Sequence, residues 1–369
     1  MNKTIKIGMI GTGVSLRIHL PAFRQIPNAE VVAICGSTQT RAEEFAKKND
    51  IPMAFGNYQE LCHLKDIDLV TVATPNNFHY KVISYALKQG KHILAEKPLA
   101  LNMKEIKSLS NKAKYYSTFA IIDHQLRFNP YFQKVRDLIK SGNLGRLYFI
   151  RIHYQSIGFS NREAPWTWSF DENMGGGVRL AFATHLVDLL WFWVGFRKVF
   201  YVSSAMDVVV PERRDQAGKV RNICASSFFS AEIALDSCLT VQLSATTAAV
   251  GEPRFDLSMF GTHGELHFDL ANKLTGCFLG KQGGLKSIPV DGILLEELEN
   301  RTSIFISSFS YFAAKIIEAI MLNDRTVISD ATTFEQAIPT QEVLKAILNS
   351  SIEGKCTQLH RGYTPGAYF

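Results

Sequence analysis

The feature that most constrains this chain is an opening of alternating strand and helix signals hinged on a glycine turn. Ile5-Lys6-Ile7-Gly8-Met9-Ile10 reads as a strand, runs into Gly11-Thr12-Gly13, and is followed by a helical pattern from about Val14 to Gln25. Such a β-turn-α unit has a physical use. Glycines let the backbone approach a pyrophosphate, and the free N–H groups at the helix start attract its charge. Leu16 stands where the strict fingerprint has its third glycine, so helix and strand should pack less closely than in that motif.

The alternation continues. A second strand, Glu30 to Cys35, leads to the place where a dinucleotide presents its adenosine ribose, and the chain offers Gly36-Ser37-Thr38 with Arg41 opening the next helix. A carboxylate there would favour an unphosphorylated ribose, whereas small hydroxyls and a guanidinium suit a 2′-phosphate through charge-assisted bonds. The expected cofactor is therefore NADP(H), with NAD(H) as the alternative. Gly11, Thr12, Gly13, Val14, Ser37, Thr38 and Arg41 are the first binding candidates.

A third strand, Asp68 to Ala73, is almost wholly apolar or β-branched, as a parallel strand covered on both faces should be. It ends at Thr74-Pro75-Asn76-Asn77-Phe78-His79. Ligands of open α/β sheets lie at the carboxyl ends of strands, so Thr74, Pro75, Asn76 and His79 join the candidates. A helix from Tyr80 to Gln89 leads to a fourth strand, Lys91 to Ala95, which delivers Glu96-Lys97-Pro98. The buried run Thr118 to Ile122 closes the pattern, giving a dinucleotide-binding domain over 1–122 and a second domain over 123–369.

Beyond Gly145 the texture changes to extended runs: Leu147 to Ile157, Val199 to Val210, Ile223 to Leu235, Cys238 to Thr247 and Phe255 to Phe260. Period-two patterns such as Leu239-Thr240-Val241-Gln242-Leu243 imply an open, mostly antiparallel sheet with one face buried. The fold class is α/β: a Rossmann domain plus an α+β domain. Residues 332–351 read as a late helix packing near the cleft. A length of 369 residues suits two domains. The net charge of +6 comes without a basic run or aromatic stripe, so no nucleic-acid partner is expected. The six cysteines form no CxxC pairs, which implies neither a metal site nor a disulfide framework. The first strand starts within five residues, leaving no space for a signal peptide, so a cytoplasmic location is expected. Leu180 to Phe196 carries His185 and Asp188 and reads as too short and too polar to span a membrane.

The segments IGMIGTG, ATPNNFHYKVISYALKQGKHILAEKPLA and GGGVRLAFATHLVDLLWFWVG resemble the glucose–fructose oxidoreductase, inositol dehydrogenase and MocA family. The resemblance covers nearly the whole chain and implies an NAD(P)-dependent oxidoreductase acting on a sugar, cyclitol or related small molecule. It implies that Lys97 lies beside nicotinamide and substrate, often before a cis proline bond. Glu96 is implied beside it, and Gln125 and Arg127 under the nicotinamide. It makes His185 a proton donor or acceptor, a role suited to imidazole. Lys97 and His185 are thus the catalytic candidates. Many members carry an aspartate four residues before that histidine, where this chain has Ala181, and Arg179 is a candidate replacement. Trp166 and Trp168 resemble a substrate-facing loop whose indole faces suit sugar C–H groups. The family's open sheet often forms a subunit interface, so a homodimer or homotetramer is expected. Two alternatives stay open: a nucleotide-binding sensor or regulator without turnover, and a redox-neutral enzyme with transient hydride transfer.

Overall fold

In the computed structural model, which describes residues 3–271, 273–281, 283–292 and 303–359, the chain forms two compact units. The first is Met1–Asn129 with Leu294–Ile338; the second is Pro130–Ile293 with Pro339–Phe369.

The first unit is built on strands β1 (Ile5–Ile10), β2 (Ala29–Cys35), β3 (Met53–Phe55), β4 (Leu69–Val72), β5 (His92–Ala95) and β6 (Ala120–Ile122). They pair in parallel in the order β3-β2-β1-β4-β5-β6, the doubly wound arrangement the alternation implies. Every residue of β4 is buried, as a strand covered on both faces requires. Strand β3, only three residues long, carries no alternation visible in the sequence. The helical run after the glycine turn starts as a π-helical turn, Ser15–His19, and becomes α-helical only at α1 (Leu20–Arg24). Pro21 has no N–H to give Arg17, which favours the wider turn here.

The first unit extends past the expected boundary at Ile122 and recruits a distant segment. Helix α8 (Ile304–Leu322) lays Phe309, Phe312, Ile316 and Ile317 into a core shared with Ile5, Ile7, Phe23 and Phe128. Phe312 stacks on Phe128 at 4.4 Å between centroids. Strand β17 (Thr332–Thr333) then pairs antiparallel with β6, Thr332 opposite Ile122, and covers the sheet edge. The expected helix over 332–351 is corrected accordingly: α9 runs Ala337–Glu353, because Thr332 and Thr333 are held by β6. Thr333 and Gln336 exchange side chain–backbone hydrogen bonds just before that helix.

The second unit is a nine-stranded sheet in the order β16-β15-β14-β13-β7-β12-β11-β8-β18, in which the shorter strands are β14 (Gly264–Asp269), β15 (Lys273–Phe278), β16 (Lys286–Ser287) and β18 (Thr357–Gln358). Its long strands are β7 (Leu147–Gln155), β8 (Val199–Asp207), β11 (Phe228–Leu235), β12 (Leu239–Thr246) and β13 (Arg254–Gly261). All pair antiparallel except β7 with β12. Strand β12 alternates buried and exposed or half-buried residues, as the sequence pattern implies. Helices α6 (Pro130–Lys140) and α7 (Thr184–Val194) are joined by the buried Trp193 indole N–H, which donates to Phe132 O at 3.0 Å. In this unit α9 is tied to β8 by Ser204, whose N–H donates to Ser350 Oγ at 2.9 Å.

Two helical stretches, Glu172–Val194 and Ile304–Leu322, are long and apolar enough to cross a membrane by length and composition. The first begins well before Leu180 and is longer than the sequence suggests. In this fold the apolar residues of both stretches contribute to the buried cores of their own units.

Phe312 is fully buried, so Phe312→Ala should cost roughly 3–5 kcal/mol of stability in chemical denaturation. A loss below about 1 kcal/mol would show that α8 is not part of the first unit's core.

Candidate functional site

The glycine turn sits at the carboxyl end of β1. Gly11 has φ of +112°, and a Cβ there would lie 2.2 Å from Ala73 O, so only glycine fits between the ends of β1 and β4. At Gly13 a Cβ would meet nothing within 4 Å, so no contact within the described chain requires glycine there. The backbone there is open to the approach of an external group. Beside this turn, Ser15 Oγ and Thr74 Oγ1 are buried without a hydrogen-bond partner among the described residues. An open cradle with orphaned hydroxyls fits a dinucleotide pyrophosphate at the start of the following helical run. Thr12 and Val14 complete the turn, both partly buried.

After β2, Ser37, Thr38 and Arg41 are exposed. Thr38 caps helix α2 (Gln39–Lys48), its Oγ1 accepting from Arg41 N at 3.3 Å, so part of its hydroxyl capacity serves the helix. After β4, His79 holds the Thr74-Pro75-Asn76 loop in place. Its Nε2 lies 3.0 Å from Thr74 O and its Nδ1 2.8 Å from Pro98 O, linking the exits of β4 and β5. Burial pulls the His79 pKa below its ordinary value against the raising effect of those carbonyls.

At the exits of β5 and β6 lies a charged cluster of Glu96, Asp123 and His19, of which only Glu96 is a candidate from the sequence. Ala95 pairs with Ile122, so the next residues, Glu96 and Asp123, are neighbours on adjacent strands. His19, fully buried on the π-helical turn, brings Nε2 to 3.2 Å from Glu96 Oε1 and 3.0 Å from Asp123 Oδ2. The three ligand atoms lie within 4.8 Å of one another, and at these distances a single N–H proton holds them together. Phe309 stacks on the His19 ring at 4.4 Å. Burial disfavours the charged ring, but the hydrogen bonds and charges of Asp123 and Glu96 outweigh it and lift His19 to about 9. Burial, together with the Glu96 charge, pushes Asp123 up to about 6. Glu96 is held below its usual range because His19, Lys97 and His79 overcome its burial.

Lys97 is partly buried, its backbone N–H donating to Glu96 Oε2 at 3.2 Å, and the Lys97–Pro98 bond is cis. Burial lowers the pKa of its amine, while Glu96 and Asp123 pull it back up. Gln125 and Arg127 are both buried. The Gln125 amide lies beside Asp123, and in the amide orientation that satisfies both groups its nitrogen donates to Asp123 O at 3.0 Å and Oδ1 at 3.2 Å. Arg127 donates to Asp330 O at 3.1 Å and so anchors the returning segment.

In the second unit His185 and Asp188 are buried on α7, and Ala181 lies in a π-helical turn, Arg179–Ala183, just before it. Arg179 is not a free replacement for the missing carboxylate: it is ion-paired with Glu172, seven residues earlier. Trp166 is partly buried and its backbone N–H donates to Arg214 O at 2.7 Å, while Arg221 lies over the ring. Trp168 is partly buried at the start of a short 3₁₀ turn. Arg213 shapes this loop by donating to the carbonyls of Phe159, Asn161 and Ala164.

Residues 5–124 match the model of an oxidoreductase family with an NAD-binding Rossmann fold, and residues 132–267 match the GFO/IDH/MocA C-terminal domain. An uncharacterized oxidoreductase of Synechocystis sp. is 29% identical over 264 residues, covering 71% of each chain. The trans-1,2-dihydrobenzene-1,2-diol dehydrogenase of Mus musculus is 28% identical over 202 residues, covering 54% of this chain and 59% of that one. Among solved structures, levoglucosan dehydrogenase in complex with NADH and levoglucosan has a TM-score of 0.83 at 20% identity, covering 98% of this chain and 100% of that chain. That likeness shows a shared fold.

The two glycines should separate by variant. Gly11→Ala should lower the thermal midpoint because its Cβ meets Ala73 O, whereas Gly13→Ala should leave it within about 1 °C and weaken dinucleotide binding in calorimetry. Full binding by folded Gly13→Ala would show that nothing approaches that backbone.

Proposed function

The chain belongs to the GFO/IDH/MocA oxidoreductase family, and from that premise we propose that it is an NAD(P)-dependent dehydrogenase acting on a CH–OH or C=O group of a sugar, cyclitol or related small molecule. The observation that carries this reading is Lys97. Its amine is held at a strand exit beside two carboxylates, in the same unit as the open glycine cradle.

Gly11 to Val14 would receive the pyrophosphate, and the Thr74–Asn76 loop would lie against the nicotinamide end of the site. Bound there, the cofactor supplies or accepts the hydride. Lys97 hydrogen-bonds the reacting oxygen and stabilises its alkoxide-like charge. His185 exchanges the proton, a role supported by the resemblance and by imidazole's titration range. Preference for NADP(H) over NAD(H) is supported by Ser37 and Thr38 in place of a carboxylate and by the exposed Arg41 in the first turn of α2. The name of the murine relative, a dehydrogenase of a cyclic diol, supports a small cyclic hydroxyl substrate. A homodimer or homotetramer is supported by the family resemblance, in which this open sheet often forms a subunit interface.

Absorbance of the reduced nicotinamide, followed across sugars, cyclitols, diols and their keto forms, tests the reading. Turnover should favour NADP(H), and Lys97→Met should lower it by about 10²-fold or more while cofactor affinity holds. Unchanged turnover in Lys97→Met would remove the lysine from the chemistry. Tight cofactor binding with no hydride transfer to or from any substrate of these classes would contradict the enzymatic reading.

A further inference from the structure

His19 and Asp123 take no part in the chemistry assigned above, yet they sit against Glu96, the residue before Lys97. Both are fully buried, and neither supports the core by apolar packing alone. Isolated buried charges are costly, so two carboxylates and a histidine at this depth need a compensating arrangement. The geometry supplies one. Asp123 N donates to Ala95 O at 2.7 Å and Glu96 N to Val72 O at 2.8 Å, so both carboxylates leave rigid strand ends. The histidine between them is clamped by Phe309 from α8.

We infer that Asp123 and His19 are positioning residues for the Lys97 amine: His19 bridges Glu96 and Asp123 and keeps both ionised, and the two carboxylates keep the buried amine protonated near neutral pH. The inference rests on the reading of Lys97 as the group that meets the substrate oxygen. The charged groups acting here are few. Lys97 feels Glu96 and Asp123, Glu96 feels His19, Lys97 and His79, and Asp123 feels Glu96, His19 and Lys97. Between about pH 6, where Asp123 releases its proton, and about pH 9, where His19 does, both carboxylates are ionised, and they are the two charges that act on the Lys97 amine. Below that window Asp123 takes up a proton and the support for the ammonium halves. Without His19 the two carboxylates face each other uncompensated and must share a proton in the neutral range, as paired carboxylates do. Lys97 then loses one of its two counter-charges.

The experiment reads the amine directly. The full chain is labelled at its lysines with acetic anhydride across pH 6–11, and modification of the Lys97 peptide is followed by mass spectrometry, with circular dichroism confirming the fold of each variant. Asp123→Asn, close to isosteric, should lower the labelling midpoint of Lys97 by about one pH unit or more, and His19→Gln should move it in the same direction. An unchanged midpoint in folded Asp123→Asn overturns the inference. A shift in Asp123→Asn without one in His19→Gln overturns the part assigned to His19. The pH profile of kcat/KM separates this from the catalytic reading. If the labelling midpoint moves and the lysine limb of the profile does not follow, Lys97 does not handle the reacting oxygen, while its support by Asp123 stands.

Discussion

A single nitrogen, His19 Nε2, meets two buried carboxylates at the end of a parallel sheet, and the geometry of the first unit's edge follows from satisfying that contact. The desolvation of a carboxylate costs several kcal/mol, and a second beside it adds repulsion. The hydrogen bonds and positive charge of the imidazolium offset both. Removing one member leaves an uncompensated buried charge, a loss on the order of 3–5 kcal/mol. The cluster therefore constrains where β5, β6 and the first helical turn end relative to one another. Lys97, one residue beyond Glu96, inherits that precision.

The remainder of the first unit holds the arrangement in place. Parallel pairing in the order β3-β2-β1-β4-β5-β6 puts the strand exits along one edge, and the β5–β6 register makes Glu96 and Asp123 neighbours. His79 ties the exits of β4 and β5 through two backbone carbonyls. Helix α8 closes the other side: Phe309 covers the His19 ring, and Asn129 is bonded to Ser308 at 3.1 Å. A segment some 200 residues downstream of the sheet is thus part of the environment of the charged cluster. A Cβ at Gly11 would run into Ala73 O, whereas one at Gly13 would meet open space, so the fold itself demands glycine only at the first of the two positions.

Much of this was legible in the sequence, for identifiable reasons. Strands β1, β2, β4 and β5 announce themselves because double burial demands continuous apolar runs. The Glu96-Lys97-Pro98 triplet stands out because it follows one of them directly. His19 did not stand out, since one histidine on a short helix has no local signature and its partners lie 77 and 104 positions away. The same limit hid α8 and β17, whose partners are set by tertiary pairing and not by local periodicity, and it hid the bond from Arg127 to Asp330 O. The Arg179–Glu172 pair is a different case. The residues are only seven apart, so the acidic partner of this buried arginine lies within reach of local sequence.

The most direct test of the charged cluster is the protonation state of His19 in the folded chain, read from the ¹⁵N and ¹H shifts of its imidazole during a pH titration. Because its folded pKa is raised, the charged ring should persist through neutrality, with both nitrogens protonated at pH 7 and the midpoint near 9. A neutral ring at pH 7, titrating near or below the ordinary histidine value of about 6.5, would contradict the account. It would leave Glu96 and Asp123 without the cation on which their burial depends.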